Sequence, residues 1–407
     1  MKILQINKYY YRKGGAETVF FNTISLLEKH GHTVIPFSLK NKKNEPSPYE
    51  DYFVDYPELS ESSLPQKIKY LPSFIYNRGA ARKLETLLQK EKPDVAHIHL
   101  MFNSMSVSIL PVLRKYNIPV VMSVHDYRLV CPAYTFTDGN GNFCERCSNG
   151  RYYNCILHKC YKGNIFNSFM LSMDSYFRAA FFQPINYIDR FIFVSKFSMN
   201  KHIDKDKRYK DKCTYLYNFT PNVEVDVTQK GKYILFFGRI SVEKGICTLL
   251  NAMELIPGIK LKVAGVGPLL DRLKLAAPSN VEFLGFKKGE ELQSLIQNAS
   301  YVIVPSECYE NNPMSIIEAY MNGTPVIGSR LGGIPELIVE NKTGYTFQSK
   351  STENLKDVIE KACSITAEEY TRMSAAAKRF ALENFSEESH YKQLMKNYQL
   401  VIDMKKG

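Results

Sequence analysis

Apolar positions along this chain fall into two alternating patterns. Short continuous runs predict buried strands, and stretches with apolar residues three and four apart predict helices. Residues 2–6 form the first such run. Residues 16–30 follow, with Val19, Phe20, Ile24, Leu26 and Leu27 on one helical face, and Gly31 closes the helix. Residues 32–38 are the next strand, so the chain opens as strand, Gly14-Gly15 turn, helix, strand. Further strands are expected at 94–99, 119–124, 190–195 and 213–217. Residues 165–182 carry apolar side chains at helical spacing. Residues 218–231 are read as a linker, and a second series begins beyond them. Its strands are expected at 233–237, 260–264, 281–284, 301–304 and 325–328, with helical segments between. The alternation, given twice, predicts an α/β fold of two Rossmann-like, doubly wound parallel-sheet domains facing a cleft. The expected boundaries are 1–219, 220–385 and a C-terminal helix at 386–407 that can return to the first domain.

Composition supports a globular chain: 44% of its 407 residues are hydrophobic and 23% charged. No apolar run is long enough to span a bilayer. Lys8, Arg12 and Lys13 stand where a signal peptide would be apolar, so a cytoplasmic location is expected. The net charge of +12 is uneven. Residues 1–220 hold 31 Lys and Arg against 19 Asp and Glu, whereas residues 221–407 hold 22 of each. A basic first half suits an anionic partner such as a membrane surface, or is a solvated face. Nucleic acid would explain the charge but not the motifs below.

Two loops carry candidate chemistry. Pro305 to Ala319 reads PSECYENNPMSIIEA between an apolar strand and a helical pattern, where an open α/β sheet places ligands. Pro313 suits the first turn of that helix. Glu310 falls in the loop and Glu318 about one turn into the helix, an offset suited to two parts of one ligand. The second loop, FFGRISVEKG at 236–245, also joins a strand to a helix. Gly238 lets a ligand approach the backbone, Arg239 offers a planar fork for phosphate oxygens, and Lys244 supplies a compact charge. Two cations there suit a diphosphate, aided by backbone N–H groups at a helix start.

These motifs, together with AGVGP at 264–268, VEFLG at 281–285, EAYMNGTPVIGSRLGGIPE at 318–336 and NKTGY at 341–345, resemble the retaining glycosyltransferases of family four, which have the GT-B architecture. The resemblance spans most of residues 1–400. It implies a nucleotide-sugar donor, by default a UDP-sugar, bound mainly in the C-terminal domain. Arg239 and Lys244 would hold the diphosphate, Glu318 the ribose hydroxyls and Glu310 the transferred sugar. Asn311, Asn312, Pro313 and Met314 would complete the donor loop, and the backbone at Gly285 and Phe286 would face the base. Gly14 and Gly15 match the family's glycine loop, and His125 a histidine close to the sugar. Glu310, His125, Arg239 and Lys244 form the expected catalytic set. His97 and His99 are expected on opposite faces of their strand, in core roles.

The implied reaction transfers a sugar with retention to a surface-glycan or lipid-linked saccharide acceptor. No second carboxylate is placed as a nucleophile, so front-side displacement is expected, and with no Asp-x-Asp motif no metal is required for chemistry. A non-catalytic nucleotide-sugar-binding subunit, or an epimerase of the same fold, is the alternative.

A cysteine-rich insert at about 131–162 departs from the general family pattern. Cys144, Cys147, Cys155 and Cys160 resemble a four-thiolate zinc knuckle, with Cys131 as an alternative ligand. An iron–sulfur cluster or plain reduced thiols are the other readings. Just beyond it, Phe166, Phe169, Met170, Phe177, Phe181 and Phe182 form an apolar stripe. It reads as core, or as a contact with an anionic membrane aided by Lys159, Lys162 and Arg178.

Overall fold

Short β-rich runs alternating with amphipathic segments produce two parallel sheets. The computed structural model describes residues 1–59, 62–223 and 231–406. The chain divides into two units, Met1–Leu216 with Tyr391–Gly407, and Tyr217–His390. Of the expected linker, residues 224–230 lie outside the described residues.

The first unit holds β1 (Lys2–Ile6), β2 (Thr33–Phe37), β3 (Val95–Ile98), β4 (Val120–Val124), β5 (Arg190–Phe193) and β6 (Cys213–Tyr215). Its helices are α1 (Gly15–Lys29), α2 (Leu64–Ile75), α3 (Arg78–Glu91), α4 (Ile109–Lys115), α5 (Tyr153–Leu157), α6 (Ile165–Phe181) and α7 (Lys196–Lys205). The strand order is β2-β1-β3-β4-β5-β6, and every pairing is parallel. Leu4, Ile6, Ile98, Met122 and Phe191 pack with α3 and α4 on one face. Ile3, Val95, Val121 and Ile192 pack with α1 on the other.

The second unit holds β7 (Ile234–Phe237), β8 (Leu261–Ala264), β9 (Val281–Gly285), β10 (Tyr301–Val304), β11 (Val326–Ser329) and β12 (Gly344–Phe347). Its helices are α8 (Ile246–Glu254), α9 (Leu270–Leu275), α10 (Gly289–Gln297), α11 (Met314–Met321), α12 (Thr352–Ser364) and α13 (Ala367–Phe385). The order β12-β11-β10-β7-β8-β9 is again all parallel. The chain therefore builds outward from β7 to β9, then restarts beside β7 at β10. At that reversal the loops after β7 and β10 lie side by side at the carboxyl ends of the strands, the place where open α/β sheets bind ligands.

The final helix, α14 (Glu387–Lys406), carries Leu394, Tyr398, Val401 and Ile402 into the core of the first unit beside Ile3, Phe20 and Val121. Its apolar residues recur at three and four, so one stripe packs against that core.

Candidate active site

In the second unit the loops after β7 and β10 meet. Gly245 adopts φ +69°, and a Cβ there would stand 1.9 Å from the Pro305 carbonyl oxygen. Only glycine allows that approach. It brings Lys244 to Glu310 across 66 residues of chain: Lys244 Nζ donates to Glu310 Oε1 at 2.5 Å, and Ser306 Oγ donates to the same oxygen at 2.9 Å. Burial works to raise the Glu310 carboxyl, but the Lys244 ammonium and the Ser306 hydroxyl outweigh it and hold the group below its ordinary range. Burial likewise opposes the charge on Lys244, yet Glu310 holds its ammonium above the usual value. Ser306 and Cys308, whose Sγ lies 3.9 Å from the same carboxylate oxygen, were not singled out from sequence although both fall in the quoted stretch.

The Glu310 loop rests on the loop after β11. Gly333 N–H donates to the Glu310 carbonyl at 2.7 Å, and a Cβ on Gly333 would stand 1.9 Å from the Asn311 carbonyl oxygen. Asn311 and Pro313 are buried, and Met314 is half-buried. Asn312 is buried too and braces the neighbouring backbone. Its Oδ1 accepts from Asn218 N–H at 2.7 Å, and its carbonyl accepts from Asn218 Nδ2 at 3.1 Å. Pro313 sits one residue before α11, at its N-cap. Gly285 closes β9 with φ +70°, and Phe286 beyond it is exposed.

Arg239 and Glu318 differ from the Lys244–Glu310 pair. Arg239 is exposed after Gly238, and no hydrogen bond or ion pair engages it among the described residues. Glu318, half-buried on α11, has no side-chain partner there either. Burial alone pushes its carboxyl up to about 7. A cation and a carboxylate without protein partners, beside a satisfied ion pair, can receive a ligand with both anionic and hydroxyl groups.

Glu318 gives a testable pH dependence. Its folded value lies above the ordinary carboxylate value of 4.5, so the ionised form destabilises the fold as pH rises through about 7. A ligand whose hydroxyls donate to it binds that ionised form. UDP-glucose affinity, measured by calorimetry, is therefore expected to rise with pH up to about 7 and level off above it. Its doubly esterified diphosphate does not titrate in this range. Glu318→Gln is expected to flatten the profile, weaken binding about tenfold, and stabilise the unliganded chain at pH 8 by about 1–2 kcal/mol.

In the first unit, Gly14 caps α1, which begins at Gly15. His125 follows β4. Burial holds its imidazole down to about 4, so it is neutral at pH 7. It heads a chain of hydrogen bonds that sequence reasoning missed. The steps are His125 Nε2 to His99 Nδ1 at 3.0 Å, His99 Nε2 to Gln5 Oε1 at 3.1 Å, Gln5 Nε2 to the Tyr398 hydroxyl at 3.2 Å, that hydroxyl to His97 Nδ1 at 2.7 Å, and His97 Nε2 to Ser123 Oγ at 2.8 Å. With neutral rings and the Gln5 amide oxygen facing His99, donation runs at every step from His125 towards Ser123; with that amide turned over, it runs at every step the other way. Tyr398 arrives from α14, almost 400 residues from Gln5, so no local pattern signals it.

The expectation that His97 and His99 face opposite sides is corrected: their ring centroids lie 4.3 Å apart. Residues two apart along a strand share a face. Tyr398→Phe removes one donor and one acceptor from this buried chain. It is expected to cost about 1–2 kcal/mol in urea denaturation.

The insert brings Cys131, Cys144, Cys147, Cys155 and Cys160 around one small cavity, with Val130, Pro132 and Phe136. Cys131 and Cys155 are buried. Glu145 ties this segment to α7 through ion pairs with Lys201, at 2.6 Å, and with Lys205. The donor set suits a thiophilic ion, but as the side chains stand no three His, Cys, Asp or Glu among the described residues form a group that could hold one.

Comparison with known proteins agrees with this architecture. The family described as Glycosyltransferase Family 4 matches residues 13–221, and that described as Glycosyl transferases group 1 matches residues 223–380. An uncharacterised 42.6 kDa protein in the cps region of Klebsiella pneumoniae is 25% identical over 357 residues, covering 83% of this chain and 87% of that protein. D-inositol 3-phosphate glycosyltransferase of Mycobacteroides abscessus is 30% identical over 178 residues, 40% of this chain and 38% of that one. A glycosyltransferase from Rickettsia africae superimposes with a TM-score of 0.71 at 18% identity, covering 98% of both chains. HepE of Anabaena, solved with UDP, gives 0.62 at 16% identity, covering 98% of this chain and 100% of that one. With both halves matched and both parallel sheets in place, the chain belongs to the family-four glycosyltransferases and has the GT-B architecture.

Proposed function

We propose that this glycosyltransferase moves a hexosyl group from a UDP-sugar to a surface-glycan or lipid-linked saccharide acceptor with retention of configuration. The observation that carries the donor reading is the charge pattern on the adjoining loops after β7 and β10 and on α11. Arg239 and Glu318 lack protein partners there among the described residues, while Lys244 and Glu310 neutralise each other. Arg239 with Lys244 receives the diphosphate, and Glu318 accepts from the ribose hydroxyls. HepE of Anabaena, solved with UDP-glucose, has the same fold and favours a uridine donor.

In the reaction proposed, the acceptor hydroxyl attacks the anomeric carbon from the face the diphosphate is leaving. The new C–O bond forms as the bond to the β-phosphate oxygen breaks, and a phosphate oxygen takes the hydroxyl proton. The residues then serve chiefly by stabilising charge on the leaving group, the interaction that grows most towards the transition state. Glu310 is held ionised by Lys244 and Ser306, so it suits orienting sugar hydroxyls better than removing a proton. Glu318→Ala is expected to raise donor KM more than Glu310→Ala does.

A donor panel with product analysis by NMR tests this. Retention with a UDP-sugar supports it, and an inverted anomer overturns the mechanism. Donor binding without turnover of any acceptor supports a binding subunit instead. For the insert the proposal is a structural zinc held by four of the five thiolates. Four thiolates leave no open coordination position, so the ion would brace the loop and take no part in transfer. Fewer than one zinc per purified chain would count against it.

A further inference from the structure

Helix α6 is turned inside out. Its buried residues are Ser168, Ser172, Asp174, Ser175 and Arg178 together with Met170 and Leu171, while its exposed line is apolar. The arrangement is no slip of register, because the inner polar groups are engaged. Ser168 Oγ donates to the Asn164 carbonyl at 2.8 Å, Ser172 Oγ to that of Tyr152 at 2.9 Å, and Arg178 pairs with Asp174 at 2.9 Å. Outward lie Ile165 (58% exposed), Phe169 (37%), Met173 (39%) and Tyr176 (38%), spaced four, four and three apart on one line. The stripe expected from sequence is therefore divided. Met170 is core, Phe166 and Phe177 pack against core clusters, and Phe169 and Phe181 are exposed. Arg178, expected from sequence to be a basic flank, is buried and already paired.

Helix α2 repeats the pattern. Leu64 (54% exposed), Ile68 (55%) and the exposed Pro72 follow one another at intervals of four. The two helices pack together through Phe74, Met170 and Leu171, and Lys67 Nζ donates to Asn167 Oδ1 at 3.3 Å. The charges carried by α2 and by residues 148–173 have one sign. Helix α2 carries Lys67 and Lys69 and no acid, and residues 148–173 carry Arg151, Lys159 and Lys162 and no acid. Lys69, Arg151, Lys159 and Lys162 are exposed. No helix among the described residues is long and apolar enough to cross a membrane.

We propose that the outer faces of α2 and α6 form a docking surface for an anionic lipid bilayer, with Ile68, Ile165, Phe169 and Met173 entering the headgroup boundary and the lysines meeting lipid phosphates. Apolar lines accompanied by the basic residues of α2 and of residues 148–173 fit a surface that is apolar beneath and negative above. A protein partner would need no such uniform sign. The inference rests on these faces and not on the transferase reading, since binding is measured without turnover.

The test is co-sedimentation of the full chain with vesicles of phosphatidylcholine alone and of phosphatidylcholine with one-third phosphatidylglycerol. Binding is expected to the anionic vesicles, weakening as salt rises. Phe169→Ser/Met173→Ser is expected to weaken it about tenfold. Lys159→Glu/Lys162→Glu is expected to do the same and to remove most of the salt dependence. All four residues are exposed, and unchanged thermal melting with retained UDP-glucose binding would show that the variants fold. Ile68→Ser provides an independent variant on α2. No binding of the unaltered chain to anionic vesicles would overturn the proposal, as would equal binding by Phe169→Ser/Met173→Ser. Sedimentation velocity without lipid separates the rival occupant: self-association abolished by Phe169→Ser would make the face an interface between copies and overturn the lipid reading.

Discussion

Arg239→Ala is expected to lower kcat/KM for the nucleotide-sugar by about a hundredfold to a thousandfold while leaving thermal stability unchanged. Two observations lead there. Arg239 is exposed and engaged by no protein group among the described residues, so its truncation breaks nothing in the fold. Surface changes of that kind alter stability by about 0.5 kcal/mol or less. Its guanidinium follows Gly238 at the carboxyl end of β7, beside the sheet's reversal point, where a bound diphosphate would lie. A donor aimed at charge that develops on the leaving group is worth most in the transition state, so kcat should fall as well as affinity. Steady-state kinetics with calorimetry on UDP would measure both. Arg239→Lys should recover only part of the loss, since an ammonium lacks the two-pronged fork. Unchanged nucleotide affinity in Arg239→Ala would mean that the donor binds elsewhere.

Lys244→Ala should be as damaging to turnover and, unlike Arg239→Ala, damaging to the fold. Lys244 is the charge that keeps buried Glu310 ionised, at 2.5 Å. Removing it leaves a buried carboxylate with only Ser306 and Cys308 beside it. The pair is only partly buried, with the Lys244 side chain 33% exposed, so breaking it is expected to cost about 1–3 kcal/mol. The Glu310 carboxyl would then be governed by burial and would rise, so the variant's stability should fall as pH climbs through the neutral range. Lys244→Ala/Glu310→Gln replaces the stranded charge with a neutral amide, and denaturation should recover much of the stability while turnover stays low. A single variant as stable as the parent at pH 8 would show that the pair is not a structural unit. The contrast between the two cations separates a residue reserved for ligand from one that also closes an ion pair in the ligand-free chain.

Much of the scaffold is legible in the sequence because parallel strands buried on both faces read as short apolar runs. Residues 2–6, 233–237, 301–304 and 325–328 all announce strands, and the observed β1, β7, β10 and β11 lie within about a residue of them. β12 at Gly344–Phe347 was missed, since its run is brief and holds Gly344 and Thr346. The loops carrying Arg239, Lys244, Glu310 and Glu318 were legible for a related reason: glycine and charge cluster where strands end. What each residue touches was not legible. Lys244 finds Glu310 because β7 and β10 become neighbours, a fact about sheet order that no local spacing encodes. Asn312 was read as a ligand from its place in a motif, but sheet order also brings it to Asn218.

The same division holds in the first unit. The rule that residues two apart on a strand share a face was available from sequence, and its misapplication to His97 and His99 was an error of reading. The meeting of Gln5 with Tyr398 was not available, because it depends on α14 packing into the first unit's core. Helix α6 is the clearest limit. Its periodicity specifies a helix, but apolar residues occupy both its buried and its exposed side, and most of its polar residues are buried. Only the packing partners decide that Met170 goes inward and Phe169 outward.

By itself, then, the sequence determined the α/β class, the two series of strands and the diphosphate-suited loops, which depend on local periodicity and on glycine and charge where the chain must turn. The family was legible separately, as a resemblance carried by its motifs. Tertiary structure decided which charges find protein partners among the described residues, the hydrogen-bonded chain from His125 to Ser123, and which side of α6 meets solvent. Each of those depends on groups distant in the chain, brought together by strand order and helix packing.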